Sequence, residues 1–185
     1  WANEYDPEIW ETFQFNFPET TLDKRSIIDI PSDRIPNAFG IIGGPPCQSW
    51  SEAGNRRQAG EAIMDGRGQL FFEYIRVLRD KQPLFFLAEN VRGMLLPRNR
   101  PALELIISQF ESAGYNVSYG LLDAHDYGVP QNRLRIIVVG YHKSLEMTYK
   151  FPDKAKNKPV LRDALEGLPK PKIALEKNRA HNQTG

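Results

Sequence analysis

Four short apolar runs, at 39–43, 84–88, 117–122 and 136–140, are rich in branched or aromatic residues and are bounded by glycine or proline. Runs of this length and make-up predict strands. Over 69–80, Leu70, Phe71, Tyr74, Ile75 and Leu78 return at helical spacing; over 102–113, Leu103, Ile106, Ile107 and Phe110 form one apolar stripe that Gly114 stops. Both segments predict helices. Strands alternating with such helices predict a doubly wound, mostly parallel α/β sheet, because parallel neighbours need a crossover and cannot be joined by a hairpin. The last two runs break the alternation. Only 123–135 separates them, a stretch holding Asp126-Tyr127-Gly128 and Pro130, so they predict antiparallel neighbours near one edge of the sheet. Nearer the start, 1–3 reads as a strand end, 7–13 as a short helix and 26–30 as a short strand or turn. From Phe151 onward, Pro152, Pro159, Pro169 and Pro171 among many basic residues predict a linker with one short helix near 161–168.

Composition places the chain among ordinary globular domains: of 185 residues, 41% are hydrophobic and 25% charged. The apolar runs are far shorter than the roughly 20 residues of a membrane-spanning helix, so no membrane partner is expected. The formal net charge is +1, yet 151–185 carry eight Lys and Arg against four Asp and Glu, and 1–150 carry sixteen against nineteen. A uniformly basic nucleic-acid glove is thereby excluded, while a local contact surface stays open. The single cysteine, Cys47, cannot form an internal disulfide, and with three histidines it makes no zinc set. No metal is expected, and a reducing, cytoplasmic setting is. The chain begins Trp1-Ala2-Asn3-Glu4 with no initiator methionine and no signal core, which predicts an excerpt of a longer reading frame.

In open parallel sheets, ligands bind beyond the carboxyl ends of the strands. That rule selects Gly43-Gly44-Pro45-Pro46-Cys47-Gln48, directly after the first strand, where glycines let the backbone turn and prolines stiffen it. Position alone leaves two readings of Cys47: a presented nucleophile, or one of the inert cysteines that proteins commonly bury. The second place is Glu89-Asn90-Val91. A carboxylate closing an apolar strand is costly unless it is paired or functional, and a helix cap or an ion pair would satisfy it equally. The third is Gln131-Asn132-Arg133-Leu134-Arg135, where alternation puts Arg133 and Arg135 on one face, able to line a pocket or to make structural salt bridges. His125 lies between Asp123 and Asp126, but no spacing supports a cysteine–histidine hydrolase. The glycines near Gly43 match neither a dinucleotide fingerprint nor a P-loop.

Four blocks, in order, carry a resemblance. They are Gly44-Pro45-Pro46-Cys47-Gln48-Ser49-Trp50-Ser51, Asp65-Gly66-Arg67-Gly68-Gln69-Leu70-Phe71, Ala88-Glu89-Asn90-Val91, and Asp126-Tyr127-Gly128-Val129-Pro130-Gln131-Asn132-Arg133-Leu134-Arg135. Across 1 to about 142 the chain strongly resembles the DNA (cytosine-5)-methyltransferases, in wording most like bacterial restriction-modification enzymes, the GGCC-acting subgroup among them.

The resemblance implies the sheet of the S-adenosylmethionine-dependent methyltransferases, S-adenosylmethionine as cofactor, and duplex DNA as partner. It also implies a cognate restriction endonuclease as a system partner without required contact. By the same resemblance Cys47 is the thiolate that adds to C6 of cytosine, Glu89 engages N3 and the amino group, and Arg133 and Arg135 hold O2 and orient the pocket. A stacked cytosine hides its faces, so the base must be flipped out. The segment 48–67 then reads as a closing loop, with Gln48, Ser49, Ser51, Arg56, Arg57 and Arg67 as DNA contacts; a solvated surface loop is the plain alternative.

On the cofactor side, Asn3-Glu4-Tyr5-Asp6 looks like the family's second motif, which gives Glu4 the ribose hydroxyls and Tyr5 the adenine ring. Ser26 stands where the family usually has an aspartate reading the adenine amino group, and Ile27, Pro45 and Leu70 supply apolar walls. The family's Phe-x-Gly-x-Gly motif and its closing Gly-Asn-x-Val block do not occur here. The expected layout is therefore the central part of the catalytic domain over 1–150 and a basic linker over 151–185, inactive without the rest. A transfer-RNA cytosine methyltransferase and a catalytically silent methyltransferase-like subunit are the alternatives.

Overall fold

The structure is a computed structural model that describes residues 1–45 and 68–169. Its elements run β1 (Ala2–Asn3), α1 (Pro7–Asn16), β2 (Leu22–Asp23), β3 (Gly40–Gly43), α2 (Gly68–Lys81), β4 (Phe85–Val91), α3 (Arg100–Ser112), β5 (Tyr115–Asp123), β6 (Leu134–His142) and α4 (Leu161–Leu165), with short 3-10 turns between. Local chemistry explains the ends. Asp6 accepts a hydrogen bond from the Glu8 amide at the start of α1, Pro7 opens that helix, and Gly114 at φ +106° ends the turn after α3. The segment expected as a strand or turn at 26–30 is a 3-10 turn, Ile27–Asp29, whose cap is Ser26.

Four strands form one sheet in the order β3-β4-β6-β5, and β1 and β2 form a separate parallel pair. β3 and β4 are parallel and joined through α2. β6 is antiparallel to both of its neighbours, so β4 and β5 point the same way with a reversed strand between them. The class is α/β, with three of four strands in one direction and the reversed strand one place in from the edge. The two last runs are antiparallel neighbours as the sequence predicts.

Phe71, Ile75 and Leu78 of α2 and Leu103, Ile106 and Phe110 of α3 enter one buried cluster with Phe86, Ala88, Tyr115, Ile136 and Val138 of the strands. Phe86 is its hinge: its ring lies 4.4 Å from Phe110 and 5.1 Å edge-on from Tyr115. The Tyr74 hydroxyl lies between the carbonyls of Leu87, at 3.0 Å, and Ile41, at 3.2 Å, and the Tyr115 hydroxyl donates to Pro83 O at 2.9 Å. Burial pushes both phenols well above their ordinary range, so they are neutral donors.

Opposite Phe86 the neighbouring strand must be bare, because a Cβ on Gly140 would fall within the Phe86 ring. Replacing Gly140 by alanine in the full-length protein should cost about 1–3 kcal/mol through overpacking. The check is a lower urea midpoint at unchanged m-value; an unchanged midpoint would show that the ring has room to move.

On the other face of the sheet, a strap runs across β5 and β6. Asn116 and Ser118 donate to the carbonyls of Met147 and Tyr149, and the Phe151 ring lies 3.3 Å from where a Gly120 Cβ would be. The basic segment read as a linker is thus tied to the sheet at its start.

Candidate active site

Alternation along β4 sends Phe86, Ala88 and Asn90 towards the helices and Leu87 and Glu89 to the other face, while Val91 at the strand end packs against the helix-side cluster. Register with β6 then places Val91 opposite Arg135 and Glu89 opposite Ile137, so Glu89 and Arg135 are diagonal neighbours on one face. Their ion pair measures 2.7 Å, from Arg135 Nε to Glu89 Oε1, and Arg135 Nη1 also donates to Leu134 O. Both side chains are half-buried. The carboxylate that closes the apolar strand is therefore paired.

β3 ends beside β4, with Gly43 opposite Ala88. The chain leaves β3 through Gly44 and the buried Pro45, and a Cβ on Gly44 would lie 3.5 Å from Glu89 Oε2. The backbone that leads to Cys47 thus passes against Glu89. Cys47 itself lies outside the described residues, as do Gln48, Ser49, Ser51, Arg56, Arg57, Arg67 and the closing segment 48–67.

A cleft of about 520 Å³ opens beside the ion pair, lined by 91–93 and 131–135. Arg133 and Arg135 both line it, together with Leu134 between them; β6 starts only at Leu134, so strand alternation does not extend to Arg133. Arg133 is held in the preceding turn, where its amide donates to Asp123 Oδ1 at 2.8 Å and its carbonyl accepts from the Ala124 amide at 3.1 Å. Asp123 Oδ1 also accepts from the His125 amide, so one carboxylate organises both ends of that turn.

Just behind, Asp126 receives Lys154 at 2.7 Å and Lys158, and the Ala155 amide donates to Asp126 O. The two lysines, Lys154 first, hold the Asp126 carboxyl down at about 2, against an ordinary 3.8. A depressed carboxylate contributes stability that is complete above the ordinary value and is lost as pH falls towards 2. Changing both lysines to alanine should return the Asp126 midpoint towards 3.8, followed by carboxyl-carbon NMR; an unmoved midpoint would refute this pairing.

Of the cofactor candidates, Glu4, Tyr5, Ser26 and Ile27 lie just beyond the ends of β1 and β2, while Pro45 follows β3 and Leu70 is on α2. These strands are parallel, so Glu4 and Tyr5 leave β1 on the same side as Arg25 and Ser26 leave β2. Asn3 Nδ2 joins the exits by donating to Asp23 O at 3.0 Å and Arg25 O at 2.8 Å. Glu4 Oε1 accepts from the Asp6 amide, and Tyr5 is 70% exposed, leaving an open aromatic face beside a carboxylate. Ser26 caps the 3-10 turn, and Ile27 packs on Ile30, Ile35 and Val77. A carboxylate that can accept from vicinal hydroxyls, a free ring for a purine and an apolar neighbour are a set of groups that fits an adenosine. Leu70 is half-buried at the start of α2.

Three residues of this region carry no role in the sequence reading. Arg76 on α2 donates to Ile27 O, Ile30 O and Ser32 Oγ while pairing with Glu73, and so fixes the Ser26–Ile27 turn on α2. Arg92 lines the cleft. Asn90 is buried at the end of β4. Its signal was available: a lone amide on the inward positions of an apolar strand. Among the described residues no group of three His, Cys, Asp or Glu could hold a metal, and no helix is long and apolar enough to cross a membrane.

The profile of the family described as C-5 cytosine-specific DNA methylase matches residues 1–184. The chain is 52% identical over 170 residues to the Type II methyltransferase M.FnuDI of Fusobacterium nucleatum, covering 90% of this chain and 48% of that protein. It is 43% identical over 182 residues to the Type II methyltransferase M.MthTI of Methanothermobacter thermautotrophicus, covering 98% and 54%. Among solved structures, a prophage-encoded DNA modification methyltransferase of E. coli superposes with a TM-score of 0.76 at 30% identity, over 91% of this chain and 48% of that one. A Spodoptera frugiperda DNMT2 mutant gives 0.63 at 26%, over 83% and 45%. The chain spans about half the length of the curated relatives it matches.

Proposed function

Because the chain belongs to the C-5 cytosine-specific DNA methylase family, we propose that the full-length protein methylates C5 of cytosine in duplex DNA as the modification enzyme of a restriction-modification system. The observation that carries this reading is the Glu89–Arg135 pair against the backbone that runs from β3 to Cys47. In this reading the target cytosine is flipped into the cleft at a few kcal/mol. The Cys47 thiolate adds to C6, and Glu89 meets N3 and the exocyclic amino group as electron density moves onto the ring. Arg135 holds the Glu89 carboxylate in place, and with Arg133 it offers donors to O2. S-adenosylmethionine, when bound, supplies an electrophilic methyl carbon. Transfer of that carbon to C5 would break its bond to the sulfonium sulfur, which keeps the electron pair and leaves as a neutral thioether; a base then removes the C5 proton, and the electrons of the C5–H bond form the C5–C6 double bond, expel the Cys47 thiolate and restore the aromatic ring.

Glu4 receives the ribose hydroxyls, Tyr5 and Ile27 flank the adenine, Ser26 reads its edge, and Pro45 and Leu70 wall the pocket. The segment 48–67 closes over the base, with Gln48, Ser49, Ser51, Arg56, Arg57 and Arg67 on the phosphates. Residues 1–150 are the central part of the catalytic domain and 151–185 a basic linker, and a chain about half the length of its relatives does not turn over alone. The protein works in the cytoplasm beside a cognate endonuclease.

The test is methyl transfer from labelled S-adenosylmethionine by the full-length protein, with GGCC-containing duplex, scrambled duplex and folded transfer RNA as acceptors. Label in duplex DNA cytosine is the expected result. Label in the RNA alone would reassign the substrate, and label in none would make the chain a silent subunit.

A further inference from the structure

We propose that Asn90 is a positioning residue that ties the loop carrying Cys47 to the strand carrying Glu89; this rests on the reading that both act on one cytosine. Asn90 is 4% exposed, on the inward positions of β4 after Phe86 and Ala88, where packing alone would favour an apolar side chain. Both ends of its amide are used. Oδ1 accepts from the Val91 amide at 2.8 Å, and Nδ2 donates to Pro45 O at 3.1 Å.

The register explains why a side chain does this work. The β3–β4 ladder ends at Gly43 opposite Ala88, and continuing it would set Pro45 opposite Asn90. Pro45 has no N–H, and neither does Pro46, so neither backbone nitrogen can donate to the neighbouring strand, and Pro45 is held through its carbonyl. Asn90 supplies the donor that the Pro45 carbonyl needs. Cys47 follows two residues later, within about 7 Å of extended chain. The tether therefore limits how far the sulfur can move from Glu89. Glu89 and Asn90 are adjacent and point to opposite faces, so one strand end holds the acid on one side and fixes the nucleophile's loop from the other. The amide is neutral, so it constrains distance without adding charge beside the ion pair.

Asn90→Asp keeps the shape, removes the N–H and sets a carboxylate oxygen against the Pro45 carbonyl. Asn90→Ala removes both bonds. In full-length protein with saturating duplex DNA containing 5-fluorocytosine and S-adenosylmethionine, the first-order rate of covalent adduct formation should fall about 10²-fold in both variants, as displacement of a reacting group by about 1 Å produces. The dissociation constants for DNA and cofactor should stay at the wild-type values, a split that general loosening of the fold would not give. A wild-type adduct rate in either folded variant overturns the proposal. Weakened binding of both ligands in parallel, or failure of both variants to fold, makes Asn90 merely structural and overturns it too. If the wild-type protein forms no adduct, the role of Cys47 itself fails, which separates the two ideas.

Discussion

Full-length protein carrying Cys47→Ser is expected to lose methyl transfer by roughly 10⁴–10⁶-fold, the scale seen when a covalent nucleophile is removed. Serine has nearly the size of cysteine, so DNA and cofactor should still bind. Its hydroxyl is hardly ionised at neutral pH, whereas a free thiol with a pKa of about 8.5 needs only modest help from loop amides or nearby positive charge. Without addition at C6, C5 stays too electron-poor to accept a methyl group. Two measurements check this: label transfer at saturating substrates, and gel-shifted adducts on 5-fluorocytosine duplex, where the fluorine blocks the elimination step. The wild-type protein should form the adduct and the serine variant should not. Turnover by the serine variant within tenfold of wild type would rule out covalent addition at this residue.

The second large effect is expected at Glu89. Glu89→Gln keeps a hydrogen-bonding side chain of equal length but removes the acid, which should slow turnover by roughly 10²–10⁴-fold. That range corresponds to about 2.7–5.5 kcal/mol of transition-state stabilisation. The ion pair complicates the reading in a useful way. Arg135 would keep an amide oxygen as acceptor but lose its counter-charge, and a fault in the orientation of Arg135 would also slow the reaction. Arg135→Met in the wild-type and Glu89→Gln backgrounds separates the causes. If Glu89 touches the base, Glu89→Gln should remain harmful after Arg135 has gone. If Glu89 only steadies Arg135, the second substitution should add nothing. A loss below tenfold for Glu89→Gln alone would leave it as a partner of Arg135.

The helices were legible because Phe71, Ile75 and Leu78, and Leu103, Ile106 and Phe110, repeat at a period that only a helix buries on one face. Strand ends were less so. β4 continues through Glu89 and Asn90 to Val91, polar positions that an apolar run excludes, because β6 supplies ladder partners as far as Arg135. β2 has only Leu22 and Asp23 and carries no run at all. The β5–β6 pairing followed from a short connection, but nothing local announces that β6 also pairs with β4. At the site, motif and alternation singled out Glu89 and Arg135, which the structure brings together as an ion pair, and Arg133, which lines the same cleft as Arg135. They were silent on Arg76, whose value lies in carbonyls about 45–50 positions earlier in the chain, brought to it by the packing of α2.

The reversed strand also sets an order of events during synthesis. β4 and β5 are both made before β6, yet in the finished sheet they stand two strand spacings apart, about 9–10 Å, with β6 between them. On the ribosome, a chain that has emerged through β5 but not yet through β6 lacks the strand that joins β4 to β5, and Glu89 has no Arg135 beside it. At about 5–20 residues per second, Arg135 follows Glu89 by several seconds. The acid is thus made before its partner, so a nascent chain cannot form the Glu89–Arg135 pair until β6 has joined β4.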